Sequence, residues 1–220
     1  MKAIVSGYGR MGHMVEAELR RRGVEVAACS EDICSVDPAL ARECVCIDFT
    51  QPEPFKANYP FIAAHFKAAV VGTTGWYDIK DQVFAEFDRQ GCPLIWSANF
   101  SIGVIALFAA VEKASAVLKG NGYTPSVTET HHIHKLDKPS GTAKILGGIV
   151  EAGLGVTPSI ESVREGEVPG IHTVEFVSGC DRLSFTHEAF SREGLAAGAV
   201  AAALLTEGLT GVHEFKDLII

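Results

Sequence analysis

The sequence lacks any unbroken apolar run of the roughly 18 residues that a membrane-spanning helix requires, so no helical anchor is expected. It lacks a basic stretch as well: 19 Lys and Arg stand against 27 Asp and Glu, for a net charge of -8. Nucleic acid and anionic membrane surfaces are therefore not expected partners. Cysteine pairs are missing too. Cys29, Cys34, Cys44, Cys46, Cys92 and Cys180 contain no C-x-x-C spacing, and they suggest neither a disulfide framework nor a zinc site. A reducing, cytoplasmic compartment fits that usage. There is no signal-peptide core before the first strand-like run, Met1 to Gly7, so the fold is expected to begin at Met1. No internal repeat or low-complexity linker breaks the chain. An acidic protein that handles an anion must gather its few cations in one place, so clustered cations carry the functional signal.

What is present reads as an α/β protein. Short apolar strands are predicted over 2–6, 24–29, 45–49, 68–71 and 93–96, and helices over 13–22 and 81–90. Apolar strands alternating with helices indicate a parallel sheet covered on both faces. After Trp96 to Asn99 the pattern changes. Helices are predicted over 104–118, 141–152 and 195–209, and a strand over 126–134. A hairpin over 173–178 and 182–187 turns at Gly179-Cys180-Asp181. The expected division is a dinucleotide-binding domain, residues 1–98 with 192–220, and a substrate domain, residues 99–191.

Gly7-Tyr8-Gly9-Arg10-Met11-Gly12 follows a strand and opens a helix. The first glycine permits the tight turn, the second lets backbone approach a pyrophosphate, and the third lets helix and strand pack closely. The helix N-terminus adds free N–H groups and a positive dipole end. An acidic residue is expected about 20 positions on, to hold the ribose hydroxyls, and Glu31 stands 19 positions after Gly12. No Lys or Arg lies between Cys29 and Ala41 to receive a 2′-phosphate, which favours NADH over NADPH, with Arg10 as the one nearby cation. Gly72-Thr73-Thr74-Gly75 and Ser97-Ala98-Asn99-Phe100 each follow a strand. That position suits ligand contact and ordinary turn chemistry equally.

The densest chemistry lies in Glu129-Thr130-His131-His132-Ile133-His134-Lys135-Leu136-Asp137-Lys138-Pro139-Ser140-Gly141-Thr142-Ala143. Three of the eight histidines fall within four residues, with two lysines following. An extended segment would put His131 and Lys135 on one face and His132 and His134 on the other. Histidine exchanges protons near neutral pH, lysine supplies a cation, and Ser140-Gly141-Thr142 ahead of a helix offers donors to an anion. The reading is an anion-binding, proton-transfer site. The alternatives are solvated histidines with Ser140 as a plain N-cap, and a zinc site on the His-x-His pair, for which no further ligand group lies nearby. No metal is expected.

Taken together, these segments resemble the 4-hydroxy-tetrahydrodipicolinate (dihydrodipicolinate) reductase family. Gly9 to Gly12, Asp48-Phe49-Thr50, Gly72 to Gly75, Ala98 to Gly103, Glu129 to Ala143, Arg164-Glu165-Gly166, Gly170-x-His172-Thr173 and Ser191-Arg192 carry the resemblance in family order. It implies a Rossmann-type parallel-sheet domain plus a smaller mixed α/β substrate and oligomerisation domain, the latter usually building a homotetramer. It also implies NAD(P)H-dependent reduction of a small cyclic dicarboxylate in lysine and diaminopimelate biosynthesis. His131 and Lys135 would be the proton-transferring residues. His132, Lys135, Ser140, Gly141 and Thr142 would bind substrate. The cofactor would meet Gly7, Tyr8, Gly9, Arg10, Met11, Gly12, Glu31, Thr50, Gly72, Thr73, Thr74, Ser97, Ala98, Asn99, Phe100 and Arg192. Lys138 and Ile133 depart from the family's usual alanine and arginine. Three rival readings are another small nicotinamide reductase, a dinucleotide sensor without catalysis, and a zinc hydrolase using His132 and His134.

Overall fold

The computed structural model describes residues 1–220 and divides into two compact units, one of Met1–Ser101 with Leu195–Ile220 and one of Ile102–Gly194. The first unit starts with β1 (Lys2–Ser6), α1 (Arg10–Arg21), β2 (Glu25–Ser30), α2 (Pro38–Ala41) and β3 (Cys44–Asp48). It continues with α3 (Pro52–His65), β4 (Ala68–Val71), α4 (Lys80–Gln90) and β5 (Leu94–Trp96). In chain order the second unit follows, with α5 (Ile102–Leu118), β6 (Thr124–His131), α6 (Gly141–Leu154), β7 (Ser159–Arg164), β8 (Gly170–Val177) and β9 (Arg182–Ala189). The chain ends through α7 (Glu193–Leu205) and β10 (Val212–Glu214).

The first unit is built on an all-parallel six-stranded sheet in the order β10-β5-β4-β3-β1-β2. β3 and β4 are buried along their whole length, as near-continuous apolar runs covered on both faces should be. α1 buries Gly12, Val15 and Leu19, a single stripe at helical spacing. It ends where Gly23 takes φ +71 and the Gly23 and Val24 N–H groups return to the Arg20 and Leu19 carbonyls. From β1 the order runs to β2 on one side and to β3 on the other. This reversal is where open α/β sheets bind ligands, at the carboxyl ends of the strands.

The second unit is a mixed four-stranded sheet, β7-β6-β8-β9, with β6 and β7 parallel and the other pairs antiparallel. One face carries the core. Leu107 and Val111 of α5 and Leu146, Val150 and Leu154 of α6 pack with Val127, Val174 and Phe176. On that same face the pairing register continues from apolar to polar. Ile160, Val127, Val174 and Phe185 form one cross-strand row; Ser162, Glu129, His172 and His187 form the next; Arg164, His131, Gly170 and Ala189 form the one at the end.

The strand predicted over 126–134 stops at His131, and residues beyond it turn, with the Lys135 N–H donating to the His132 carbonyl. The expected sharing of one face by His131 and Lys135 therefore does not hold. Four elements go beyond the sequence reading: α2, α3, β7 and β10, the last adding a parallel strand beside β5.

Candidate active site

In the first unit, the glycine turn leaves β1 with Gly7 at φ +82, where a Cβ would meet the Phe49 carbonyl oxygen at 2.7 Å. A Cβ on Gly12 would collide with the Gly7 carbonyl oxygen, so this glycine is what lets α1 start against the turn. A Cβ on Gly9 would meet nothing within 4 Å, which leaves its backbone open on that side. Gly9 caps α1 without a side-chain hydrogen bond, and the first turn holds no acidic residue. This is the uncapped, positive helix end that a pyrophosphate requires. Tyr8 folds back from the turn: its hydroxyl donates to Glu16 and its ring lies 3.9 Å from that of His13. The Glu16 hydrogen bond, aided by burial, pushes the Tyr8 pKa up to about 12.

Asp48, at the end of β3, ties the neighbouring loops together. Its carboxylate is fully buried and accepts from Ser6 Oγ (2.7 Å), Thr50 N (3.3 Å), Thr50 Oγ1 (2.9 Å) and Thr73 Oγ1 (2.5 Å). Burial pushes its pKa up, and those hydrogen bonds work against the rise. Thr73 is further fixed by Trp76, whose indole N–H donates to its carbonyl at 2.7 Å. Gly72 is required because the Phe49 ring occupies the space of a side chain there.

After β5, Ser97 Oγ donates to the Asn99 carbonyl, and Asn99 Oδ1 accepts from the Ser101 N–H at 2.8 Å. Phe100 is buried against Phe215, ring centroids 5.1 Å apart, so only its backbone is available to a ligand. Ala98 and Thr74 are exposed, as are Glu31 and Arg10. Asp32, beside Glu31, is committed: it accepts from the Cys34 N–H and caps a short helical turn. Arg192 falls among the last residues of the second unit and is half-buried.

In the second unit, the polar rows of the sheet meet the start of α6. Glu129 is fully buried, with His131, Ser140 and His172 also buried. One Glu129 oxygen is hydrogen-bonded to His131 Nδ1; the other accepts from Arg164 Nη2 at 2.9 Å and from the Ser140 N–H at 3.3 Å. Burial opposes the charge on Glu129, but bonds from Arg164, Ser162 and His131 outweigh it and hold the pKa at about 2. His131 is pushed below its ordinary value by burial, with Glu129 acting the other way. Its Nδ1 is engaged, so its exchangeable position is Nε2.

The His172 ring stands edge-on to that of His131 at 5.0 Å, and its Nε2 lies 3.3 Å from Ser140 Oγ. Burial drives the His172 pKa down to about 4. Ser140 caps α6 through the Ala143 N–H. Its hydroxyl and its N–H are thus both committed inside the protein, and Gly141 and Thr142 head the helix. Lys135 Nζ pairs with Asp137 Oδ1 at 2.7 Å. His132 keeps a buried Nδ1 with no partner, and His134 pairs with Glu167 at 3.1 Å, away from the cluster of His131.

Donor atoms of Glu129, His131 and His172 lie within 4.8 Å of one another, a spacing that could hold an ion. The Arg164 guanidinium on the same carboxylate opposes a cation there. Residue-type reasoning picked out His131 and Lys135. It assigned no role to Glu129, Arg164, His172 or Asp48. The signal for the first three is cross-strand pairing, which becomes readable only once β6, β7 and β8 are placed side by side.

Two family models match the chain: "Dihydrodipicolinate reductase, N-terminus" over residues 1–100 and "Dihydrodipicolinate reductase, C-terminus" over residues 103–219. A 4-hydroxy-tetrahydrodipicolinate reductase of Christiangramia forsetii is 33% identical over all of this chain and 98% of its own length. One of Chromohalobacter salexigens is 38% identical over 83% of this chain and 76% of its own. Among solved structures, a dipicolinate-bound dihydrodipicolinate reductase from Paenisporosarcina sp. TG-14 superposes over the whole chain and 99% of its own, with a TM-score of 0.83 at 16% identity. A diaminopimelate dehydrogenase of C. glutamicum shares the fold more loosely, with a TM-score of 0.59 at 9% identity over 99% of this chain and 93% of its own.

Proposed function

The chain belongs to the dihydrodipicolinate reductase family, and on that premise we propose how its residues divide the reaction. It is an NAD(P)H-dependent oxidoreductase that converts 4-hydroxy-tetrahydrodipicolinate to tetrahydrodipicolinate, with loss of water, in lysine and diaminopimelate biosynthesis. The observation that carries the assignment is the His131 ring, anchored through Nδ1 by a buried carboxylate on the strand that leads to Lys135 and the α6 N-terminus.

The bound nicotinamide supplies the hydride. Residues 1–98 with 192–220 serve as the dinucleotide domain and residues 99–191 as the substrate and oligomerisation domain. The uncapped start of α1 and the open side of Gly9 fit the pyrophosphate. The loops after β3, β4 and β5, with Thr50, Thr73 and Asn99, take the rest of the cofactor. Glu31 is exposed at the end of β2 and its neighbour Asp32 is occupied, so Glu31 is the carboxylate left for ribose hydroxyls. A 2′-phosphate would meet that charge, which favours NADH.

On the substrate side, Gly141 and Thr142 at the head of a 14-residue helix suit a carboxylate. The orphaned His132 Nδ1 suits a polar atom of the ligand. His131 takes up a proton at Nε2 and passes it to the ligand, and Lys135 is the second donor. No helix is long and apolar enough to cross a membrane. The assembly proposed is a cytoplasmic homotetramer.

The test follows absorbance at 340 nm with NADH and then NADPH, while a synthase makes the unstable substrate in place. Substrate-dependent oxidation, faster with NADH, is expected. Dinucleotide binding without oxidation would overturn the assignment in favour of a sensor.

A further inference from the structure

Glu129 is fully buried, and beyond its contact with the His131 ring it has been given no part in the proton transfers described above. Its surroundings show a purpose. Arg164, whose side chain is 8% exposed, sits opposite His131 in the β6–β7 register. Its guanidinium donates to Glu129 Oε1 at 2.9 Å, to the Lys135 carbonyl at 3.2 Å, to the Asp137 carbonyl at 2.5 Å and to the Val163 carbonyl at 2.7 Å. One cation thus holds both the carboxylate behind His131 and the turn that carries Lys135. On the other flank, Gly170 stands opposite His131, since Thr130 pairs with Ile171. A Cβ at 170 would lie 3.0 Å from His131 Nε2. The absence of a side chain there leaves uncovered the one ring nitrogen not already engaged.

We propose that Glu129 and Arg164 are positioning residues for the reductase reaction: Glu129 fixes the His131 proton on Nδ1, so that Nε2 is the atom exchanging a proton with substrate, and Arg164 aligns the Lys135 turn to it. A carboxylate behind a histidine selects the tautomer and orients the ring in many proton-transfer sites, and the wrong tautomer is costly even when the geometry survives. The inference rests on the reductase reading given above.

The tautomer can be read directly from the ring nitrogens of His131 by 15N NMR, the resonances being assigned by their loss in His131→Gln. In the wild-type chain, Nδ1 should carry the proton and Nε2 the lone pair. In Glu129→Gln, Arg164 and the Ser140 N–H both claim the amide oxygen, which turns the NH2 group towards His131. That reverses the tautomer. The variant should lose kcat on the order of 10²-fold or more, with little change in KM for the dinucleotide.

Removing one charge leaves the other buried and unpaired, which can unfold the unit. The double variant Glu129→Gln with Arg164→Met removes both. A purely structural pair predicts that this variant folds with wild-type kcat and tautomer, and that result would overturn the inference. Positioning predicts that it folds yet keeps the reversed tautomer and the low kcat. A wild-type ring already protonated at Nε2 would also overturn it. Absence of turnover by the wild-type chain would refute the reductase reading instead, a result distinct from either.

Discussion

His172 makes the acid stability of the second unit predictable. It is 5% exposed, and burial, reinforced by the charge of His131 and opposed by Glu129, pushes its pKa down to about 4. His187 and Lys135 act in the same direction as His131. An unfolded histidine titrates near 6.5. Between those values the unfolded chain takes up a proton that the folded chain refuses. Stability present above pH 6.5 is therefore lost as pH falls towards about 4, at about 1.4 kcal/mol per pH unit, for a total of about 3 kcal/mol. His131 and His187, also depressed by burial, steepen the loss. Glu129 adds its own loss at more acid pH, between 4.5 and about 2. His172→Gln removes one titrating group while retaining a polar end for Ser140. Its stability curve should fall less steeply than the wild type's by one proton between pH 6.5 and 4.5. Tryptophan fluorescence cannot report this, because Trp76 and Trp96 both belong to the first unit. Amide hydrogen exchange of peptides spanning β8, corrected for the intrinsic effect of pH, reads the second unit directly. Parallel curves for the two proteins across that window would refute the reasoning.

Three further outcomes follow from the geometry. Asp48→Ala strands the buried Ser6 and Thr73 hydroxyls, at about 1–3 kcal/mol each, whereas Asp48→Asn keeps an acceptor and should cost less than about 2 kcal/mol in all; urea unfolding by tryptophan fluorescence should separate them, and equal losses would refute the role of the carboxylate. Glu31→Arg replaces a charge that repels a 2′-phosphate with one that pairs to it, worth about 1.5–3 kcal/mol; the ratio of kcat/KM for NADPH over NADH should rise by at least about 10-fold, and an unchanged ratio would place the ribose elsewhere. Gly170→Ala should lower stability, because φ +159 is a backbone conformation that a residue with a side chain rarely adopts and the new Cβ would lie 3.0 Å from His131 Nε2, and should slow turnover because its methyl group sits over that nitrogen; a thermal melt beside a kcat measurement checks both halves.

The parallel sheet was legible because β1, β3, β4 and β5 are short apolar runs closed by Gly, Thr, Ser or Pro, and the glycine turn was legible from its place between strand and helix. α3 was hidden by Pro52, Pro54 and Pro60, which read as breakers, although Pro52 occupies the first turn, where proline is tolerated. Its buried residues, Phe55, Ile62 and Ala63, are too few to mark a periodic stripe. β7 and β10 are half-exposed edge strands without strong alternation. In the site, His131 and Lys135 announced themselves by residue type. Glu129 and Arg164 are 35 positions apart, and only strand pairing brings them together. The same pairing stopped the extended reading at His131, because the next residues turn to meet the Arg164 guanidinium.

The rows of the second sheet also bear on how this chain can change in length. Val127, Glu129 and His131 share one face because strand side chains alternate, so a single residue inserted between Val127 and His131 would turn the histidine outwards and a neighbouring threonine inwards. Two inserted residues would restore the face but carry the ring about 7 Å along the sheet, past Arg164 and Gly170. Neither parity nor distance leaves a tolerated step. Growth or loss of residues is thereby excluded between Val127 and His131, and the spacing inside β6 behaves as a fixed ruler against which the chemistry is set.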